Sequence, residues 1–227
     1  MKLSTAQLAE VKCFIQSRGI KYIDVQTEIL DHVASAIEEK MDGNALLTFE
    51  DALKQTHASF GIFGFGSMED AIIKGMNSRF RKIFWKNFSA LLGLKYIALV
   101  LLSGLFVYKA QVLINDYDHL LTIFLMAILG LLGILVVFSL NHKGYKNFLT
   151  YRTSSSYLIF IGSFLNLFNF GISKAIAGTI WGANSNYLIG TVILVFFGIY
   201  VIAAFRTAIM GIRESKLLME KYQLLAY

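Results

Sequence analysis

KGMNSRFRKIFWKNFSALLGLKYIALVLLSGLFVYKAQVLI, residues 74–114, decides the fold. A basic run (Lys74, Arg79, Arg81, Lys82, Lys86) leads straight into an apolar stretch whose only charges from Ala90 to Ile114 are Lys95 and Lys109, one near each end. Lysines so placed lay their methylene stems along acyl chains and keep the ammonium at the headgroups, so the stretch predicts a helix crossing about 30 Å of hydrocarbon. The basic run marks its entry side as cytoplasmic. Residues on its N-terminal side read as a soluble module, and those on its C-terminal side as more membrane.

Downstream of this first span, at about 90–114, three further apolar spans are expected at about 120–140, 157–177 and 187–205. The connection Asn115–His119 holds Asp116 and Asp118 and no Lys or Arg, whereas Asn141–Ser156 holds Lys143, Lys146 and Arg152. Arg206 opens a basic tail, 207–227, whose apolar residues among charges predict an amphipathic helix on the inner leaflet or on the soluble module. With Arg79, Arg81, Lys82 and Lys86, these cations place both termini in the cytoplasm. Lys174 is the exception, near the outer end of the third span, where it snorkels outward.

Composition agrees with this reading, at 56% hydrophobic residues and a mean hydropathy of +0.59. The net charge of +6 does not make a nucleic-acid binder, because residues 1–86 carry 11 basic and 11 acidic side chains. The excess cations sit beside the predicted membrane edges and face anionic lipid. A single cysteine, Cys13, excludes an internal disulfide and suits a reducing compartment; it is expected to be small, buried and apolar. MKLSTAQLAEVKCF interleaves polar and apolar residues and is not expected to act as a secretory signal.

Residues 1–88 predict four helices. The first carries Leu8, Val11, Phe14 and Ile15 after an N-cap at Ser4 or Thr5 and stops at Gly19. The second, about 22–41, turns Leu30, Ala34, Ile37 and Met41 inward, and Gly43 comes next as its C-cap. Thr48 with Glu50 and Asp51 starts a third helix through Phe60, and GIFGFGS breaks it. Ser67 with Glu69 and Asp70 starts a fourth, nearly continuous with the first span or joined to it by a short bend. The fold class is thus all-α: a four-helix cytoplasmic module followed by a four-helix transmembrane bundle, N-in and C-in.

Candidate chemistry is sparse. The expected spans contain no Asp, Glu or His, which disfavours ion-coupled transport. Ser163, Asn166, Asn169 and Ser173 form a polar stripe on the third span, readable as hydrogen bonding between helices or as a solute pathway. Gly130 and Gly133, Gly171 and Gly178, and Gly190 and Gly198 read as points of close helix approach. On the second helix Glu28, Asp31, His32, Ser35, Glu38 and Glu39 gather on one side. That cluster is either a solvated acidic face, with His32 touching Glu28, or a divalent-cation site built on Glu28, Asp31 and His32. Cys13 lacks a base partner and His57, His119 and His142 fall in unrelated segments, so no catalytic residue and no cofactor is assigned.

EILDHVASAIEEKM (28–41), Gly43, TFEDAL (48–53) and Phe60-Gly61 together resemble the N-terminal helical module of small membrane proteins of Bacteroidetes. Those proteins in turn are similar to the HAAS signalling domain, an all-helical cytoplasmic module attached to membrane helices and often encoded beside a PadR-like transcription regulator. The resemblance covers about residues 5–88 and rests on Glu28, Leu30, Asp31, His32, Ile37, Glu38, Phe49, Ala52, Phe60 and Gly61. The proline-containing turn of the broader pattern is missing here. The resemblance implies a signalling or regulatory protein of the bacterial inner membrane. The expected partners are membrane lipid, a protein bound through Glu28, Asp31, His32, Glu38 and Glu39, and a second copy of the chain. An accessory subunit of a larger transport or translocation complex is the alternative.

Overall fold

The computed structural model describes residues 2–44, 46–61, 64–169 and 187–224, leaving aside the side chains at 117, 118, 121, 164–169 and 222–224. Among the described residues it is all-helical: α1 Thr5–Ser17, α2 Ile23–Gly43, α3 Phe49–Ser59, α4 Gly66–Leu91, α5 Leu94–Ile114, α6 Tyr117–Asn141, α7 Leu149–Asn169 and α8 Tyr187–Leu224, with a 3-10 turn at Lys143–Tyr145. The chain divides into two compact units. Phe80–Lys143 and Thr153–Glu214 form one; Met1–Arg79, Gly144–Arg152 and the residues from Ser215 onward form the other.

The local signals in α1 to α3 act as their chemistry dictates. Ser4 caps α1, its hydroxyl accepting from Gln7 N while the Gln7 side chain accepts from Ser4 N, so two otherwise orphaned amides are satisfied. Gly19 then leaves the helix at φ +85°, a conformation in which a Cβ would be strained. Thr48 caps α3, accepting from Asp51 N at 3.2 Å and donating to the Asp51 carboxylate at 2.7 Å. The break after α3 uses two left-handed glycines, Gly61 and Gly64.

The core of this unit is Val11 and Ile15 from α1, Val25, Ile29, Val33 and Ile37 from α2, Ala52 and Leu53 from α3, and Ile20, Phe65 and Leu149. The four α2 residues fall at a strict spacing of four, so the inward stripe is rotated from the expected one. Ala34 and Ile37 are buried as read, whereas Leu30 and Met41 lie at its margin. Gly43 is the last helical residue and Asn44 takes the C-cap position. Cys13 is exposed, contrary to expectation, because it falls off the Val11–Ile15 face.

Among the described residues three helices are long and apolar enough to cross a membrane and mark the chain as a membrane protein: Leu94–Ile114, Thr122–Asn141 within α6 and Tyr187–Lys221 within α8. The first starts four residues later than expected, because residues 90 and 91 close α4 and Leu92-Gly93 make the bend. Of the expected span 157–177, residues 170–177 lie outside the described residues; the rest belongs to α7, which begins at Leu149. Between Asn141 and Leu149 the connection is therefore short. No break separates a fourth span from a tail, since α8 runs 38 residues without interruption through Arg206.

Candidate functional site

Asp24, in the first turn of α2, ties α2 to the start of α7. Its carboxylate accepts from Leu149 N at 2.9 Å, from Thr150 N at 2.8 Å and from the Thr150 hydroxyl at 2.8 Å, besides its neighbour Val25 N at 3.1 Å. Those amides are the first two of α7. The residue before α7, Phe148, is apolar and buried, and its side chain offers no acceptor. A carboxylate 125 positions away in sequence therefore does the work of an N-cap. A cap of this kind is worth about 0.5–2 kcal/mol in all, and the negative charge at the helix start adds up to about 1 kcal/mol.

Neighbouring groups hold the same joint. Ile23 N donates to Asn147 O at 2.9 Å, and Arg152 donates to the Tyr22 hydroxyl while its guanidinium lies 5.8 Å from the Tyr22 ring centroid. Thr150 and Leu149 are buried, Leu149 among the core residues of α1 to α3. The polar run Thr153–Ser156, read from sequence as part of a connection, is helical, with Thr153 and Ser154 buried. Sequence reasoning misses Asp24 because nothing near residue 149 announces a helix start and no local spacing links it to residue 24.

The acidic side of α2 faces outward. Glu28, Asp31, His32 and Glu39 are exposed, and His32 Nε2 stands 3.6 Å from a Glu28 carboxylate oxygen, the i,i+4 contact expected of a solvated face. Among the described residues no group of three or more His, Cys, Asp or Glu side chains is placed to hold a metal ion. Glu38 departs from the cluster and accepts from Leu3 N at 2.9 Å, fastening the chain's start to α2.

His57 sits edge-on between the rings of Phe14 and Phe65, with centroids 5.2 Å away on each side. Burial, and then the charge of Arg18, hold its pKa below the ordinary imidazole value of 6.5. Gly64 passes so close that a Cβ there would lie 3.3 Å from His57 Nε2.

In the second unit α8 is the common partner. Gln111 of α5, only 3% exposed, donates to the Thr191 hydroxyl at 2.9 Å; Asn87 of α4 donates to the Thr207 hydroxyl at 3.1 Å; and the Tyr200 hydroxyl donates to Tyr157 O of α7 at 2.8 Å. Phe84 stacks on Tyr157 at 4.5 Å in the same cluster. Of the expected polar stripe, Ser163 is exposed on α7, while the Asn166 and Asn169 side chains and all of Ser173 lie outside the described residues. Arg79, Arg81, Lys82, Lys86, Lys143 and Lys146 are exposed; Arg206 is half-buried.

Compared with protein-family models, curated proteins and solved structures, the chain matches none of them.

Proposed function

We propose that this is a non-enzymatic protein of the bacterial inner membrane that crosses four times, with both termini cytoplasmic, and whose helical module binds a protein partner such as a transcription regulator. The observation that carries the reading is the Asp24 joint, because it fastens the start of α7 to α2. A module and a connection that bond to each other share one side of the membrane. An even number of crossings then separates residues 79 and 144, and α5 and α6 supply two. Residues from Ser215 belong to the same unit, so by the same parity an even number of crossings separates residues 152 and 215. α8 supplies one, and we assign the second to the span expected at 157–177.

A signalling role is the reading that the exposed acidic face of the module supports. The exposed carboxylates of Glu28, Asp31 and Glu39 supply a negative face for a basic surface on the partner.

Affinity purification of the full-length protein from gently solubilised native membranes tests this. Wild type is expected to bring down a soluble regulator, and the combined E28Q, D31N and E39Q variant to lose it while still inserting; unchanged recovery sinks the assignment. The exposed Ser163 on α7 favours the alternative, an accessory subunit. That reading predicts stoichiometric recovery of a membrane complex, undisturbed by the α2 substitutions and lost on Ser163→Leu.

A further inference from the structure

We infer that Lys95, Tyr96 and Arg206 form a binding site for the phosphate of an anionic glycerophospholipid, an inference that rests on the proposed membrane topology. The break at Leu92-Gly93 starts α5 at Leu94 and so puts Lys95 and Tyr96 in its first turn. Arg206 reaches the same place from α8. The Lys95 ammonium and the Arg206 guanidinium each lie 5.4 Å from the centroid of the one Tyr96 ring. Neither cation has an ion-pair partner among the described residues, and the first turn of α5 holds no acidic residue.

Two like charges on one ring repel each other, the more so at a membrane boundary where water is scarce. The ring face offsets part of that cost. A phosphodiester offsets more, because its oxygens accept from a guanidinium in a forked geometry and from an ammonium as a point charge. The Tyr96 hydroxyl supplies a further donor. What surrounds the cations selects a lipid over a soluble anion. Leu94 is 95% exposed, and Leu92 and Ile97 are exposed beside it, an apolar surface for acyl chains at the edge of the charged pair. Basic pockets between spanning helices on the cytoplasmic side take lipid headgroups in this manner.

Native mass spectrometry of the full-length protein, reconstituted in phosphatidylcholine vesicles with or without phosphatidylglycerol, tests the site. Wild type is expected to retain phosphatidylglycerol. Lys95→Gln, at an exposed position, is expected to weaken retention about fivefold, and Lys95→Gln with Arg206→Gln about 25-fold. Lys95→Arg restores it, and Lys143→Gln with Lys146→Gln leaves it unchanged. Retention by the double variant equal to wild type overturns the site, as does equal loss in the Lys143/Lys146 pair, which would reveal general surface attraction only. Displacement by inorganic phosphate overturns the lipid assignment in favour of a soluble anion. Carbonate extraction separates the two claims: a chain released from the membrane defeats the membrane reading, whereas an integrated chain whose double variant keeps its lipid defeats this site.

Discussion

α2 and α5 have the same length, 21 residues, and opposite insides. α2 buries Val25, Ile29, Val33, Ala34 and Ile37 and turns Glu28, Asp31, His32 and Glu39 outward. α5 buries one residue, the polar Gln111, and exposes Leu94, Leu99, Leu101, Leu102, Leu105, Phe106 and Leu113. For α2 the solvent is water and burial of apolar surface holds the helix in place. For α5 the surroundings are as apolar as the side chains, so packing outward gains nothing and one hydrogen-bonded amide facing Thr191 becomes the specific contact. Burial thus reads as stability only after the solvent on the other side has been named.

The contrast breaks most visibly at matched truncations. Ile29→Ala removes a fully buried side chain from the α2 stripe and is expected to lower the unfolding free energy of the module by about 2–5 kcal/mol, whereas Leu102→Ala on α5 stays within about 0.5 kcal/mol. Chemical denaturation of the full-length protein in detergent checks both. A large loss at Leu102 would mean that α5 faces protein. Next in size is the charge test: Leu102→Arg should cost about 3 kcal/mol of membrane insertion, read from the inserted fraction, while Glu39→Arg on α2 changes it negligibly.

Asp24→Ala belongs to neither pattern, since it strips acceptors from the start of α7; about 1–3 kcal/mol of stability should be lost, and Asp24→Asn should recover part of it. Faster hydrogen exchange at the Leu149 and Thr150 amides, with α1 and α3 unchanged, is the expected signature. Smallest is a pH effect at His57. Its folded pKa lies below 6.5, so the unfolded chain binds more protons and stability falls as pH drops through 6.5 toward the folded value. His57→Phe keeps the edge-on ring packing and should remove that slope; an unchanged slope would assign it to another group.

Legibility follows range. The capped starts of α1 and α3 and the glycine breaks at 19 and 61–64 are readable because each signal acts within four residues of its effect. The first apolar span is readable because composition alone decides it, with only the bend at Leu92-Gly93 moving its start. The α2 stripe comes out about one residue off, since Leu30 and Ile29 are equally apolar and only the α1 and α3 surfaces choose between them. Asp24 is illegible because its partners come from residues 149 and 150. Thr153–Ser156 misleads for the converse reason: polar residues in a row resemble a loop until hydroxyls are allowed to bond within a helix, as Ser156 does to Thr153 O. The basic residue Arg206 reads as the end of a span, yet α8 continues because nothing in its backbone chemistry obliges a stop there.

The Asp24 joint also sets an order of manufacture. Ribosomes release a chain from its N-terminus, so the carboxylate that receives the Leu149 and Thr150 amides has been made, and α2 around it has had time to fold, well before those amides exist. The start of α7 is templated by an older part of the same molecule. Nascent chains stalled far enough on for residues 149 and 150 to have left the ribosomal tunnel should already show the Asp24-dependent protection at Leu149, whereas circular permutants that make α7 first should fold only after α2 has been completed.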